Sequence, residues 1–141
     1  MSLTFFTDRD LGLQFPSILR AAGLSVIRHA DVFASEAPDE EWLERVGSDG
    51  WIAVTHDRRI RYKPNELAAA IRYRVGLLVV IGAAPFRELA VNFVATLPRI
   101  EAFVAEHPRP FIGKVYRPAP AEMTRNRRAS GSVTLWYPRA E

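Results

Sequence analysis

The chain has 141 residues, 48% hydrophobic and 25% charged, with 19 basic and 16 acidic side chains for a net charge of +3. That size and balance suit one domain with a substantial core and exclude a disordered or low-complexity chain. Cysteine is absent, which excludes disulfides and cysteine-ligated zinc and is compatible with a reducing cytosol.

In chain order, residues 3–7 (LTFFT) form a short apolar, β-prone run that predicts a strand. Residues 15–22 (FPSILRAA) have helical apolar spacing, with Pro16 tolerable in a first turn and Gly23 as a stop. A second strand is predicted over 24–27 (LSVI) and a loop over 30–37 (ADVFASEA). Residues 38–46 (PDEEWLERV) predict a helix whose first turn carries three acids, where they meet the positive end of the helix dipole. A third strand follows at 51–55 (WIAVT), then a charged turn (HDRRIRYK) and a helix from Pro64 to about Arg74. Residues 76–81 (GLLVVI) are continuously apolar, as suits a strand buried on both faces of a parallel sheet.

Residues 86–107 predict a helix broken or kinked at Pro98. Two more strands are predicted at 111–116 (FIGKVY) and 132–137 (SVTLWY), joined by the proline- and arginine-rich segment 117–131, the least regular part of the chain. Alternating strands and helices predict a three-layer α/β fold around a mainly parallel sheet of four to five strands. Residues 1–110 form its body, and residues 111–141 form a C-terminal basic β extension packed on the same domain.

Charge follows that division. Residues 1–113 carry 13 basic and 14 acidic side chains, a net of −1, whereas residues 114–141 carry six basic and two acidic, a net of +4. A nearly neutral body with a basic extension suits a polyanionic partner on one edge, and equally a solvated basic terminus. No apolar run reaches the length of a membrane span and the first residues lack a signal pattern. The expectation is a soluble, cytoplasmic protein with no membrane partner.

The carboxylates carry the chemistry. In open α/β sheets, sites form outside the carboxyl ends of the strands. Asp8 directly follows the first strand, with Asp10 beside it in the stretch FFTDRDLG, and Asp57 follows the third. Asp39 and Glu40 open the helix that returns toward the third strand, which also places them at the carboxyl edge. Asp8, Asp39 and Asp57, with Asp10 nearby, are therefore candidates to converge. Several carboxylates ionise together only beside a cation, and oxygen-only ligation favours Mg²⁺ or Mn²⁺. Each acid also has a plainer reading: Asp10 as a helix cap, Asp39 and Glu40 as ordinary first-turn acids, Asp57 as a turn residue or a partner of Arg58 and Arg59. Arg125, Arg127 and Arg128 are candidates for phosphate contacts, and Trp136 and Tyr137 for base stacking or for packing an edge strand.

The blocks FFTDRDLG, APDEEWL and VTHDRRI resemble the signature blocks of short PIN-like domains, a group that includes toxin ribonucleases of the VapC type. The resemblance spans residues 4–81. It implies a Rossmann-like parallel sheet, an acidic pocket holding Mg²⁺ or Mn²⁺, metal-dependent cleavage of RNA phosphodiesters and a protein antitoxin that blocks the site. Carried over by position, Asp8 matches the first acid, Asp39 the second with Glu40 as its substitute, and Asp57 the acid of the Thr-x-Asp block, in which Thr55 also matches. A fourth acid common in longer PIN domains has no clear equivalent. Where related short forms place an acid two residues past Asp57, this chain has Arg59, and Asp10 is the available compensation.

The leading functional expectation is thus a metal-dependent endoribonuclease, the toxin of a toxin–antitoxin pair, with Asp8, Asp39 and Asp57 catalytic and Arg58 and Arg59 added to the RNA-binding arginines. The main alternative is a catalytically inactive PIN-like module that binds RNA or protein. The pair Asp8-Arg9-Asp10 also looks like the start of a haloacid dehalogenase-type phosphatase, but Lys63 and Lys114 are poorly placed for that chemistry. A homodimer is a further expectation.

Overall fold

The sheet is built from strands whose residues alternate between two helical layers. The computed structural model describes residues 2–126 and 128–139. Strands β1 (Thr4–Thr7), β2 (Ser25–Arg28), β3 (Ile52–Thr55), β4 (Gly76–Val80), β5 (Phe111–Tyr116) and β6 (Ser132–Tyr137) lie in the order β2-β1-β3-β4-β5-β6. All neighbours pair in parallel except β5 with β6. The strand after β1 lies on one side of it and the next lies on the other. Order therefore reverses at β1, and a crevice opens between the carboxyl ends of β1 and β3.

The period-2 side-chain alternation divides the core. Phe5, Ile52, Val54, Leu78, Val80 and Phe111 face helices α1 (Gln14–Ala21), α5 (Phe86–Ala95) and α6 (Leu97–Glu106) through Phe15, Leu19, Leu89, Phe93, Ile100 and Phe103. Phe6, Ala53, Leu77, Val79 and Ile112 face α3 (Asp39–Asp49) and α4 (Pro64–Arg72) through Trp42, Leu43, Val46, Ala69 and Ala70. The result is the three-layer α/β fold that alternating elements predict. The β4 run GLLVV is buried at every position, as a strand covered on both faces must be.

Three local expectations need correction. Residues 30–37 are not wholly loop: His29–Val32 forms a single helical turn, α2, because Asp31 accepts the Arg28 backbone amide at 2.9 Å and a bidentate contact from its guanidinium. The break between α5 and α6 falls at Thr96 rather than Pro98. Proline is accommodated in the first turn of α6, where its missing N–H costs no hydrogen bond, and Thr96 Oγ1 donates back to the Asn92 carbonyl at 2.6 Å. The segment 117–131 contains a helix, α7 (Pro120–Arg125), opened by another first-turn proline. Near its end, β6 pairs with β5 through a register shift at Ile112/Gly113, so Trp136 is an extra residue between Leu135 and Tyr137.

Candidate active site at the carboxyl edge

Parallel register brings the ends of β1 and β3 together. The Asp8 amide donates to the Val54 carbonyl at 2.9 Å, which places the Asp8 side chain beside Thr55. Thr55 is fully buried and its Oγ1 donates to Asp8 Oδ2 at 2.9 Å. The Asp10 carboxylate oxygens lie 3.3 and 3.4 Å from the same Oγ1. A hydroxyl has one proton, so Thr55 serves the nearer Asp8 and leaves Asp10 to the His56 backbone amide at 3.2 Å. The same Oγ1 accepts the Asp57 amide at 3.1 Å and so fixes the turn after β3. Asp10 sits in a 3-10 turn (Arg9–Leu11) and caps no helix: α1 starts after Leu13 without a side-chain cap.

Asp8 is buried, whereas Asp10 is exposed as a residue. Asp8 is only 6% exposed, and burial, the neighbouring Asp10 and the more distant Asp39 push its pKa up to about 7 despite the Thr55 hydrogen bond. Partial desolvation of its carboxylate also raises the Asp10 pKa, against the opposing hydrogen bonds from His56 and Thr55. Asp57 differs. Burial disfavours its charge, but Lys63 Nζ at 2.8 Å and the Arg59 amide at 3.0 Å more than offset that and hold its pKa below the usual range. Asp39 lies at the first position of α3, where its Oδ1 accepts the Trp42 indole N–H at 2.9 Å.

These side chains surround a cleft of about 530 Å³ lined by Asp8, Arg9, Asp10, Asp39, His56, Asp57, Arg58, Arg59 and Lys63. Acids form the floor, and Arg58 and Arg59 are exposed on the rim. Of the residues expected from sequence, Asp8, Asp10, Asp39, Asp57, Arg58 and Arg59 share this cleft. Glu40 is exposed outside it. Arg125 ends α7, and the exposed Arg128 lines a separate cavity with Ile18, Val91 and Val94 of α1 and α5, so neither joins the cleft. Arg127 lies outside the described residues. The His56 ring packs edge-on against Phe86, and its Nε2 donates to the Gly82 carbonyl at 2.9 Å.

A model of the PIN-like domain family matches residues 3–82, from β1 through β4 and across every acid in the cleft. The chain belongs to the PIN-like family. No curated protein and no solved structure matches it. PIN-like domains are commonly nucleases and generally use divalent metal ions, which makes the fit of such an ion a question for this cleft.

Among the described residues, no three acidic or histidine side chains are drawn together as a preformed metal cage. The donors nevertheless suit a hard cation. Asp8 is a buried carboxylate and Asp10 a more exposed one beside it, both with a raised pKa, with oxygen donors only and no basic side chain bonded to either. A divalent ion removes the penalty that burial and mutual repulsion impose on them. Asp57 fits less well, because Lys63 already neutralises it. Sequence reasoning missed that lysine as a cleft residue: only the turn after Asp57 folds it back, six positions on. Arg9, between the two aspartates, also lines the cleft, and no local pattern marks it as doing so.

Proposed function

We propose that this PIN-like domain is a metal-dependent endoribonuclease that hydrolyses RNA phosphodiesters in the acidic cleft. The observation carrying this reading is the buried Asp8 carboxylate with the more exposed Asp10 beside it, gathered around one threonine hydroxyl beneath an arginine rim. Asp8 and Asp10 are the residues that would hold Mg²⁺ or Mn²⁺, with Asp39 beside them and Asp57 available if Lys63 yields. When bound, such an ion neutralises charge on the scissile phosphate and acidifies an attacking water.

The protein's own groups do the rest. Thr55 fixes the Asp8 carboxylate against rotation and orders the turn carrying Asp57. Arg58 and Arg59 attract the RNA backbone to an otherwise acidic floor. Lys63 keeps Asp57 ionised and holds it in one rotamer. A role as the toxin of a toxin–antitoxin pair, acting in the cytoplasm under a protein antitoxin, is part of the proposal and rests on family resemblance alone, as does a homodimer.

The test is cleavage of a mixed single-stranded RNA pool with Mg²⁺, Mn²⁺ or EDTA. Activity should require metal and fall by more than about a hundredfold in Asp8→Asn. Metal-independent cleavage, or undiminished cleavage by Asp8→Asn, refutes the assignment. The engagement of Asp57 by Lys63 and Arg59 favours a second reading, a PIN-like module that binds RNA or protein without turnover; metal binding with no cleavage is its signature. The phosphatase reading finds no support in the cleft, since Lys63 pairs with Asp57 and Lys114 lies over Tyr116.

A further inference from the structure

The chain leaving the cleft crosses toward the sheet edge and meets residues outside the family match. After Asp57 the backbone makes a short turn, Ile60–Tyr62, immediately before Lys63. Ile60 is buried in the core beneath this turn, which fixes it to the domain. Tyr62 is 64% exposed, one of the most exposed large hydrophobic side chains among the described residues. It is nevertheless held: its ring meets the Trp136 ring edge-on, centroids 5.6 Å apart at 86°. The Arg61 guanidinium carbon lies 5.0 Å from the Tyr62 centroid and 5.4 Å from that of Trp136. A cation between two aromatic rings braces both.

Trp136 reaches this position because of the β-bulge. The extra residue at Ile112/Gly113 turns its ring toward the α3/α4 layer, where it packs with the second core cluster. On the same sheet face, β5 presents Lys114 and Tyr116, with the Lys114 ammonium 5.6 Å from the Tyr116 centroid. Lys114 forms no ion pair among the described residues. Arg61 Nε and Nη1 are buried and have no hydrogen-bond acceptor among the described residues. The patch thus joins a guanidinium wedged against aromatic rings to the unpaired Lys114 ammonium, beside an arginine-rimmed cleft.

We infer that the Tyr62–Arg61–Trp136 cluster, continued by Lys114 and Tyr116, is a stacking platform for single-stranded RNA leaving the acidic cleft. The inference rests on the RNA-directed reading of that cleft. Single-stranded RNA fits the chemistry because its unpaired bases offer faces to an exposed, pre-positioned tyrosine, while its phosphates supply the negative charge that Lys114 lacks. Duplex RNA hides those faces and fits the patch poorly. The C-terminal strand then has a purpose in substrate binding: β6 carries the tryptophan that holds Tyr62 upright.

The test measures binding apart from cleavage. Fluorescence anisotropy of a labelled single-stranded oligouridylate and of a matched RNA duplex is recorded in EDTA with wild type, Tyr62→Ala, Tyr62→Phe and Lys114→Gln. Tyr62 and Lys114 lie outside the folded core, and unchanged melting temperatures verify that the variants fold. Single strand should bind more tightly than duplex. Tyr62→Ala should weaken it about tenfold, Tyr62→Phe should retain it because the ring remains, and Lys114→Gln should flatten its salt dependence. Equal affinity of wild type and Tyr62→Ala, or preference for duplex, overturns the platform. Metal-dependent cleavage alongside either result leaves the nuclease reading standing while the platform falls. Tyr62-dependent binding with no cleavage in Mn²⁺ upholds the platform while the nuclease reading falls.

Discussion

Replacing Asp8 with asparagine should make the metal-free protein more stable at neutral and alkaline pH, although Asp8 is the best-placed carboxylate in the cleft. The folded state lifts the Asp8 pKa from 3.8 to about 7, so it binds the proton more tightly than the unfolded chain does. Stability attributable to this proton is full below the unfolded pKa and lost as pH rises through the folded one. Across that window the loss amounts to about 4 kcal/mol. Asparagine is never charged, its carbonyl still accepts the Thr55 hydroxyl, and its amide can donate to Asp10. Strain in fitting the amide consumes part of the gain, leaving an expected advantage of about 2 kcal/mol at pH 8. Near pH 4 the wild-type carboxyl is protonated and the two proteins should be nearly equal. Urea unfolding in EDTA from pH 4 to 8, followed by tryptophan fluorescence, measures the difference. Millimolar Mn²⁺ should then narrow or reverse the gap, because the ion stabilises only the state that binds it. A gap that does not vary with pH, or a variant less stable at pH 8, would refute the claim that burial leaves this carboxylate unsatisfied.

Lys63→Met should tighten Mn²⁺ binding by about fivefold in an isothermal titration, since it removes a cation beside the site and frees Asp57; weaker binding would show that Lys63 braces the site rather than competing within it. His29 is buried with its Nε2 unpartnered, and burial with Arg9 nearby lowers its pKa from 6.5. The unfolded chain therefore takes up the proton more readily, so the stability this neutral histidine contributes is present at high pH and declines as pH falls below about 6.5. His29→Phe should accordingly gain thermal stability over wild type at pH 5 compared with pH 8, and a pH-independent difference would count against it. Gly47→Ala should destabilise by about 3 kcal/mol in chemical denaturation, because its Cβ would stand 2.0 Å from the Tyr73 carbonyl oxygen where α3 meets the end of α4. A stable Gly47→Ala protein would mean that these helices part more easily than their packing indicates.

Strand and helix order was legible because each element carries its period in consecutive residues: the buried run of β4 and the acid-started helix α3 need no distant partner to be recognised. Asp8 and Asp57 could be placed at the carboxyl edge for the same reason, since a strand's end and direction locate the residue that follows. The Thr96 break lies two residues before the proline that suggests it, because proline restricts the preceding turn while fitting the first turn of its own helix. Residues 30–37 read as loop because the Arg28–Asp31 contacts that stabilise α2 are side-chain bonds rather than an apolar period.

By itself, then, the sequence determined the layered α/β fold and the edge of the sheet where its acids gather, through patterns that act over a few residues. Only the tertiary structure decided which of those acids are left without a basic partner and which are paired. Register across β1 and β3 hands one Thr55 proton to Asp8, a turn folds Lys63 onto Asp57, and Arg128 is left exposed near α1 and α5, away from the cleft. The meeting of Arg61, Tyr62 and Trp136 depends on a bulge between β5 and β6. Such contacts join residues distant along the chain, so backbone register and packing fix them, and local periodicity carries no trace of them.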